Sequence, residues 1–200
     1  MKRTFDFVVA LLGLLLLFPL WVVVALSIRM DSPGPVFFRQ ERIGRGLRPF
    51  LIVKFRTMMR DAPRQGGSIT FGNDPRITRV GRILRKTKID ELPQLINVLK
   101  GEMSLVGPRP EVRPYVELFR QEYEDILKVR PGITDLASLR YRNEAEVLGQ
   151  SQNPEEEYVR RILPEKIRLA KEYLQGASLA VDLALIFKTL LKLGNWRVSL

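Results

Sequence analysis

The sequence predicts an α+β chain, mainly α-helical, with an N-terminal helix set in a membrane. Three observations carry this. An uncharged apolar run of 22 residues, Phe7 to Ile28, lies between basic flanks. Two short β-type runs follow, with glycines between them. Helical periodicities, several of them amphipathic, dominate the remainder. The expected architecture is a re-entrant membrane helix broken at Pro19, a small β-hairpin, and amphipathic interface helices around a cytoplasmic core. Residues 1–30 are assigned to the membrane helix and residues 31–200 to a membrane-associated cytoplasmic domain.

The apolar run reads FVVALLGLLLLFPLWVVVALSI. At ~1.5 Å per residue a straight helix of that length reaches ~33 Å, enough to cross the hydrocarbon core. Lys2 and Arg3 precede it, and Arg29 follows, with Arg39, Arg42, Arg45 and Arg48 soon after. A spanning helix usually keeps one basic flank in the cytoplasm, and here both flanks are basic. Pro19 has no N–H for the carbonyl of Leu15 and its ring clashes there, so a kink is expected. A broken helix that returns to the same face satisfies both flanks. A kinked span and a cleaved signal peptide ending near Ala25-Leu26-Ser27 are the alternatives. The run is longer than the usual apolar core of a signal peptide and leads straight into a basic domain.

Two hundred residues suit one domain, or a smaller domain with an appendage. The formal net charge of +11 favours polyanionic partners: nucleic acid, anionic lipid headgroups or phosphorylated substrates. The chain has no cysteine and no histidine. Disulfides, thiolate and imidazole metal ligands, and Ser-His-Asp or Cys-His catalysis are therefore excluded. Any catalysis rests on carboxylates, lysine, arginine, hydroxyls or a metal held by oxygen.

Asp31-Ser32-Pro33-Gly34-Pro35 reads as a linker or turn. VFFRQ and FLIVKFR, separated by RIGRGLR, read as a hairpin. The polar stretch from Arg60 to Pro75 reads as a mobile loop. Ile77, Val80, Leu84 and Thr87 recur at helical spacing with Arg76, Arg79, Arg82 and Lys86 on the other side. That pattern predicts a basic amphipathic helix, either a solvated face or one lying on an anionic membrane or facing a diphosphate. Asp90 is suited to cap the next helix, with Pro93 in its first turn and Gly101 at its end. Arg113 to Lys128 is helical and polar, and Arg130-Pro131-Gly132 is a turn. Glu155 to Gln175 is helical, restarting at Pro164. Ser178 is placed to cap a last apolar helix, LAVDLALIFKTLLKL, with Trp196 beyond it. That helix either packs in the core or docks shallowly on a membrane.

The acid pair Asp90-Glu91 follows Arg76, Arg79, Arg82, Arg85 and Lys86. A helix N-terminus and neighbouring cations would keep Asp90 ionised and draw a phosphate within reach. A carboxylate that attacks phosphorus forms an acyl phosphate, and cations offset the repulsion between two anions. Mg²⁺ prefers oxygen ligands and suits a carboxylate facing a diphosphate. On spacing alone a plain helix cap explains Asp90 equally well. Lys54 in KFRTM, Arg109 in the rigid GPRP loop, and Arg130 are each ambiguous alone.

Three segments, PGPVFFRQERIGRGLRPFLIVKFRTM, RKTKIDELPQLINVLKGEMSLVGPRP and RPGIT, resemble the bacterial sugar transferases known as monotopic phosphoglycosyl transferases. They occur in that family's order behind one hydrophobic segment and cover most of residues 1–135. The resemblance implies transfer of sugar-1-phosphate from a nucleotide-diphosphate sugar, usually a UDP-sugar, to polyprenol phosphate, giving UMP and a polyprenyl-diphosphate sugar. This is the first membrane step of bacterial glycoconjugate synthesis. It implies Asp90 as nucleophile, with Glu91 positioning Mg²⁺ or assisting the lipid phosphate, so that Asp90 and Glu91 are also the expected metal ligands. It implies phosphate-binding roles for Lys54, Arg85 and Arg109, and more weakly for Arg130. It also implies a re-entrant helix broken at a proline, although Phe18 stands where a small polar residue is common. The catalytic domain is then expected on the cytoplasmic face of the bacterial inner membrane, in contact with anionic lipids and open to homo-oligomerisation. After RPGIT many members continue with glycine and a WAQVNGRN-like run. Here Asp135 replaces the glycine and the chain reads DLASLRYRNEAEVLG, which resembles a subgroup and is expected to help select the sugar.

Two other classes compete. A nucleic-acid-binding regulator would use the positive charge, but aromatics are only 8% of the chain, sit mostly in the apolar run and strands, and leave the acid pair unexplained; nucleic acid is therefore not an expected partner. A fragment of a multipass transporter is disfavoured by the polar length from Asp31 to Gly176. Because Met1 leads directly into the apolar run, the expectation is a minimal catalytic unit.

Overall fold

The computed structural model describes residues 1–62, 70 and 74–193. Most of the stretch read as a mobile loop, and Trp196, lie outside the described residues. The architecture is mainly helical with one antiparallel hairpin, as the sequence predicts.

Helix α1 runs from Lys2 to Asp31. The break expected at Pro19 is absent, because the backbone stays helical through it. A proline removes one donor, but in a long apolar helix the flanking turns hold the conformation. Most of the apolar middle is exposed: Leu15, Leu16 and Phe18 are each about two-thirds exposed or more. Both ends are anchored on the rest of the chain. Near the start, Lys2 donates to the Val106 carbonyl at 3.1 Å and pairs with Asp182. Arg3 donates to the carbonyls of Val98 and Leu99, and buried Asp6 accepts from the Ser104 hydroxyl at 2.8 Å. Near the end, Asp31 accepts from the Val80 N–H at 2.9 Å, and Arg56 donates to the carbonyls of Ser32 and Pro33.

Strands β1 (Phe37–Ile43) and β2 (Pro49–Phe55) form the hairpin, in register from Phe37 opposite Phe55 to Ile43 opposite Pro49. Helix α2 (Arg79–Thr87) is the basic amphipathic helix, starting after Thr78, whose hydroxyl accepts from the Gly81 N–H. Gly81 is required here, since a Cβ would lie 2.0 Å from the Thr57 carbonyl oxygen. Lys88 ends α2 in the left-handed region (φ 59°) and turns the chain into a 3₁₀ turn, Ile89–Glu91. Helix α3 (Gln94–Lys100) follows and stops at Gly101, as predicted. Buried Asn97 ties α3 to β2 by accepting from the Val53 N–H and donating to the Leu51 carbonyl.

Two three-residue strands were not anticipated. β3 (Ser104–Val106) and β4 (Gly132–Thr134) pair in parallel, placing the GPRP loop beside RPGIT. Their backbones approach so closely that a Cβ on Gly132 would lie 2.1 Å from the Gly107 nitrogen. Backbone cannot retreat as a side chain can. Gly132→Ala is therefore expected to destabilise the fold by about 3 kcal/mol, the upper end of overpacking costs, read as a lowered denaturant midpoint.

The segment predicted as one helix over Arg113–Lys128 is two, α4 (Arg113–Leu118) and α5 (Arg120–Ile126), divided at Phe119. Short helices α6 (Leu136–Arg140), α7 (Glu144–Gly149) and α8 (Pro154–Glu157) lead through a π-helical turn into α9 (Leu163–Gln175), which carries Pro164 in its first turn. Ser178 caps α10 (Leu179–Leu193) by accepting from the Val181 N–H. One core gathers α4, α5 and α9; a second joins Ala10 of α1 to α3, β3 and α10; a third seats Val24 and Ile28 of α1 on Phe55 and Leu84. Helix α10 contributes Leu185 to the second core while Leu183, Phe187 and Leu190 face outward.

Candidate active site

The acid pair lies where β2, the 3₁₀ turn and the GPRP loop meet. Asp90 and Glu91 are adjacent in sequence but have different environments. Glu91 is gripped by two cations. Its Oε1 accepts from Lys54 Nζ at 2.9 Å and from Arg109 Nη2 at 2.5 Å, and its Oε2 from Arg109 Nη1 at 3.3 Å. Burial alone would raise its pKa, but Arg109 and Lys54 overcome this and hold the carboxyl well below the usual range. Reciprocally, Glu91 pushes Arg109 up, while burial lowers Lys54 despite the pairing.

Asp90 is 7% exposed, and its Oδ1 is buried without a hydrogen-bond partner among the described residues. It does not cap α3. It sits inside the 3₁₀ turn with no capping bond, and α3 begins three residues after Glu91. This corrects the expectation that Asp90 caps a helix. Burial, then the charge of Glu91, raise its pKa against the opposing pull of Lys54, Lys88 and Arg85. Of the cations around Asp90, Lys54 is engaged by Glu91 and Arg85 by the Thr57 hydroxyl at 2.9 Å. An unpartnered buried carboxylate oxygen costs free energy in the folded state, which makes Asp90 a candidate site of chemistry.

Of the predicted binding residues, Lys54 and Arg109 contact the dyad through Glu91. Arg85 is close enough to be felt by Asp90. Arg130 lies at the opposite end of α3, where its Nε donates to the Gly101 carbonyl at 2.7 Å, beside the Arg3 guanidinium. No group of three or more carboxylates able to enclose a metal occurs among the described residues. The donor set nevertheless suits Mg²⁺, which commonly takes one or two protein carboxylates and completes its shell with water and substrate phosphates. The unpartnered Oδ1 of Asp90 and the remaining lone-pair capacity of Glu91 are the oxygens that fit.

Sequence reasoning missed a second buried charge cluster behind Arg109. Glu111 accepts from the Tyr158 hydroxyl at 2.6 Å and from Arg42 at 3.3 Å, with Lys166 Nζ at 3.9 Å. Lys166 also pairs with Glu144 at 2.5 Å. The only sequence signal was position, since Glu111 directly follows GPRP. Burial alone would raise the Glu111 pKa, but Lys166, Arg42 and Tyr158 bring it below the usual range. A lowered folded-state pKa contributes stability that is present above the unfolded value, about 4.3, and is lost as pH falls through the folded value. Glu111→Gln is thus expected to lower the neutral-pH thermal midpoint, costing about 3 kcal/mol by leaving Lys166 and Arg42 under-compensated. The gap between variant and wild type should narrow progressively as acid melts are taken below the unfolded value and through the lower folded one.

The structure thus combines a buried acid pair, one member held by cations and the other with an unpartnered oxygen, with a separate N-terminal apolar helix tied to the rest of the chain at both ends. The sequence model of the bacterial sugar transferase family matches residues 1–195, and the chain belongs to this family. It is 40% identical over 194 residues to the UDP-N-acetylgalactosamine-undecaprenyl-phosphate N-acetylgalactosaminephosphotransferase of Aeromonas hydrophila, covering 94% of this chain and 42% of that protein. It is 38% identical over 196 residues to the UDP-glucose:undecaprenyl-phosphate glucose-1-phosphate transferase of Escherichia coli K12, covering 96% of this chain and 40% of that protein. The chain therefore spans about two-fifths of the length of these two relatives. It is 40% identical over 198 residues to the exopolysaccharide production protein PSS of Rhizobium leguminosarum bv. phaseoli, covering 94% of this chain and 92% of that protein.

Proposed function

We propose that the protein transfers sugar-1-phosphate from a UDP-sugar to polyprenol phosphate at the cytoplasmic face of the bacterial inner membrane, in glycoconjugate or exopolysaccharide synthesis. The observation that carries this reading is the contrast within the dyad, a fixed anion at Glu91 beside a free, buried oxygen on Asp90. The names of the relatives, two of them undecaprenyl-phosphate sugar phosphotransferases, support it.

In this reading an Asp90 carboxylate oxygen attacks the β-phosphorus of the UDP-sugar. The bond from that phosphorus to the bridging oxygen breaks, and UMP leaves with the electron pair. Asp90 then carries the phosphosugar as an acyl phosphate. A phosphate oxygen of the lipid attacks the same phosphorus, and the Asp90 carboxylate departs unchanged. Glu91 holds Lys54 and Arg109 where they can share their remaining donors with substrate phosphate oxygens, so charge is stabilised by groups already in place. Arg85, with one donor on Thr57, has others for the same anion. Mg²⁺, when bound by Asp90 and Glu91, supplies charge neutralisation at the diphosphate.

The helix α1 anchors support placing both of its ends on one face of the bilayer. Lys2, Arg3 and Asp6 at one end and Asp31 at the other all bond to the same body, so ends on opposite faces of a bilayer would tear one set apart. The exposed middle, around Leu15 to Phe18, then enters the lipid. The exposed cations Arg79, Arg82 and Lys86 of α2 flank exposed Ile83, a face suited to anionic headgroups. The chain has no native cysteine, so single-cysteine variants report topology directly. Thr4→Cys and Met30→Cys should both be labelled by an impermeant maleimide in inside-out vesicles and spared in right-side-out ones; opposite labelling would establish a span.

The reaction itself is tested with purified protein in native membrane discs, Mg²⁺, polyprenol phosphate and a panel of UDP-sugars. UMP release with one sugar, dependent on the lipid, is the expected result. Release that proceeds equally without lipid would indicate a hydrolase, and nucleotide products other than UMP would rule out this chemistry.

A further inference from the structure

Asp135 is 3% exposed, and both of its carboxylate oxygens are engaged. One oxygen, Oδ1, accepts from the Ser138 N–H at 2.6 Å and caps α6. The other, Oδ2, accepts from the backbone N–H of Arg109 at 3.1 Å. The capped helix also presents the Ser138 hydroxyl 3.5 Å from Arg109 Nη1. Arg109 is thus held at two points: its backbone by Asp135 and its guanidinium by Glu91. β3 and β4 prepare this arrangement, since the Gly107 N–H bonds the Thr134 carbonyl immediately before Asp135.

We infer that Asp135 is a positioning residue that fixes the GPRP loop so that the Arg109 guanidinium meets Glu91 and the substrate phosphate together. Resting as it does on the transfer reaction proposed above, this assigns Asp135 a role beyond that of a helix cap. A cap needs one acceptor oxygen, and a serine or asparagine supplies it. Holding Arg109 as well needs two acceptors on one side chain, which a carboxylate provides.

The test separates cap from positioner. Asp135→Asn keeps one acceptor for Ser138 and turns an amide donor toward the Arg109 N–H. Asp135→Ser keeps the cap alone and serves if the asparagine variant folds poorly. Each is expected to lower kcat/KM for UMP release by about tenfold, in the range typical of removing a supporting contact from a site. The same change made in an Arg109→Ala background should have less than about a twofold effect, because the residue acts through Arg109. Equal losses in both backgrounds would overturn the inference and leave Asp135 a structural cap.

A second readout needs no substrate and so stays informative if the proposed reaction is wrong. In ¹⁵N spectra of the protein in detergent, the Arg109 side-chain signals, assigned by their loss in Arg109→Lys, should show the slow guanidinium rotation of a clamped group. Asp135→Ser should bring them to the fast rotation of a free arginine. Unchanged signals would overturn the positioning role whatever the reaction proves to be. Absence of UMP release by the wild type, with the clamped signal lost in Asp135→Ser, would count against the reaction alone.

Discussion

Asp90→Asn is expected to lower UMP release by at least about 10³-fold, roughly 4 kcal/mol of transition-state stabilisation. The amide keeps the shape of the side chain and loses the nucleophile. The same variant should be no less stable than wild type at neutral pH. Burial and the neighbouring Glu91 disfavour the ionised carboxylate in the folded protein, with its Oδ1 lacking a partner. A folded-state pKa raised above the unfolded value means that ionisation favours unfolding, so removing the charge relieves a cost. Turnover and thermal midpoint, measured without Mg²⁺ for the melt, should therefore move in opposite directions or the midpoint should stay still. This is the pattern of a residue kept for chemistry at the expense of stability. If the midpoint fell sharply along with turnover, Asp90 would have a structural role that its missing partner argues against. Mass spectrometry of wild type given UDP-sugar without lipid should show a phosphosugar adduct on the peptide carrying Asp90, absent from the variant.

Much of this site was legible in the sequence, for identifiable reasons. Local patterns survived folding. The hairpin followed from two β-type runs around RIGRGLR, and α3 stopped at Gly101 because that residue adopts a left-handed conformation (φ 81°) few others reach without strain. The family resemblance brought Lys54, Asp90, Glu91 and Arg109 to attention, and folding joins Lys54 and Arg109 to Glu91. What could not be read depended on contacts between distant residues. The parallel pairing of SLV with GIT joins segments about thirty residues apart by backbone bonds that leave little trace in side-chain periodicity. The unequal division of cations between Asp90 and Glu91 is likewise tertiary. Adjacent acids look equivalent in sequence, and only the arrival of β2 and the GPRP loop on one side makes Glu91 the paired member. Lys2 and Arg3, read as a basic flank, prove to hold the C-terminal carbonyls of α3 and the end of β3. The same two charges thus speak both to membrane topology and to the seating of the helix that follows the dyad.

Glu91→Gln should impair both activity and stability, and the two losses can be separated. The substitution leaves Lys54 and Arg109 facing a neutral amide. Breaking a buried pair by removing one partner costs up to about 5 kcal/mol, and partial exposure of both cations discounts this to about 2 kcal/mol. The rate should fall by about 10²-fold or more, because the cations lose the anchor that aims them at the phosphate. Adding Lys54→Met removes one uncompensated charge while keeping an apolar stem of similar length. The double variant should regain most of the lost thermal stability, since replacing both members of a buried pair is far less costly than breaking it. It should not regain turnover, because a donor to the substrate phosphate has gone with the charge. Recovery of both would mean that Glu91 serves only to neutralise Lys54 in the fold. Recovery of neither would mean that Arg109, still unpaired, dominates the penalty, and Glu91→Gln with Arg109→Met would then be the variant to restore the midpoint. In every arm the denaturant midpoint reports the electrostatics of the folded state and UMP release reports the chemistry, so the structural and catalytic roles of one carboxylate are measured on separate scales.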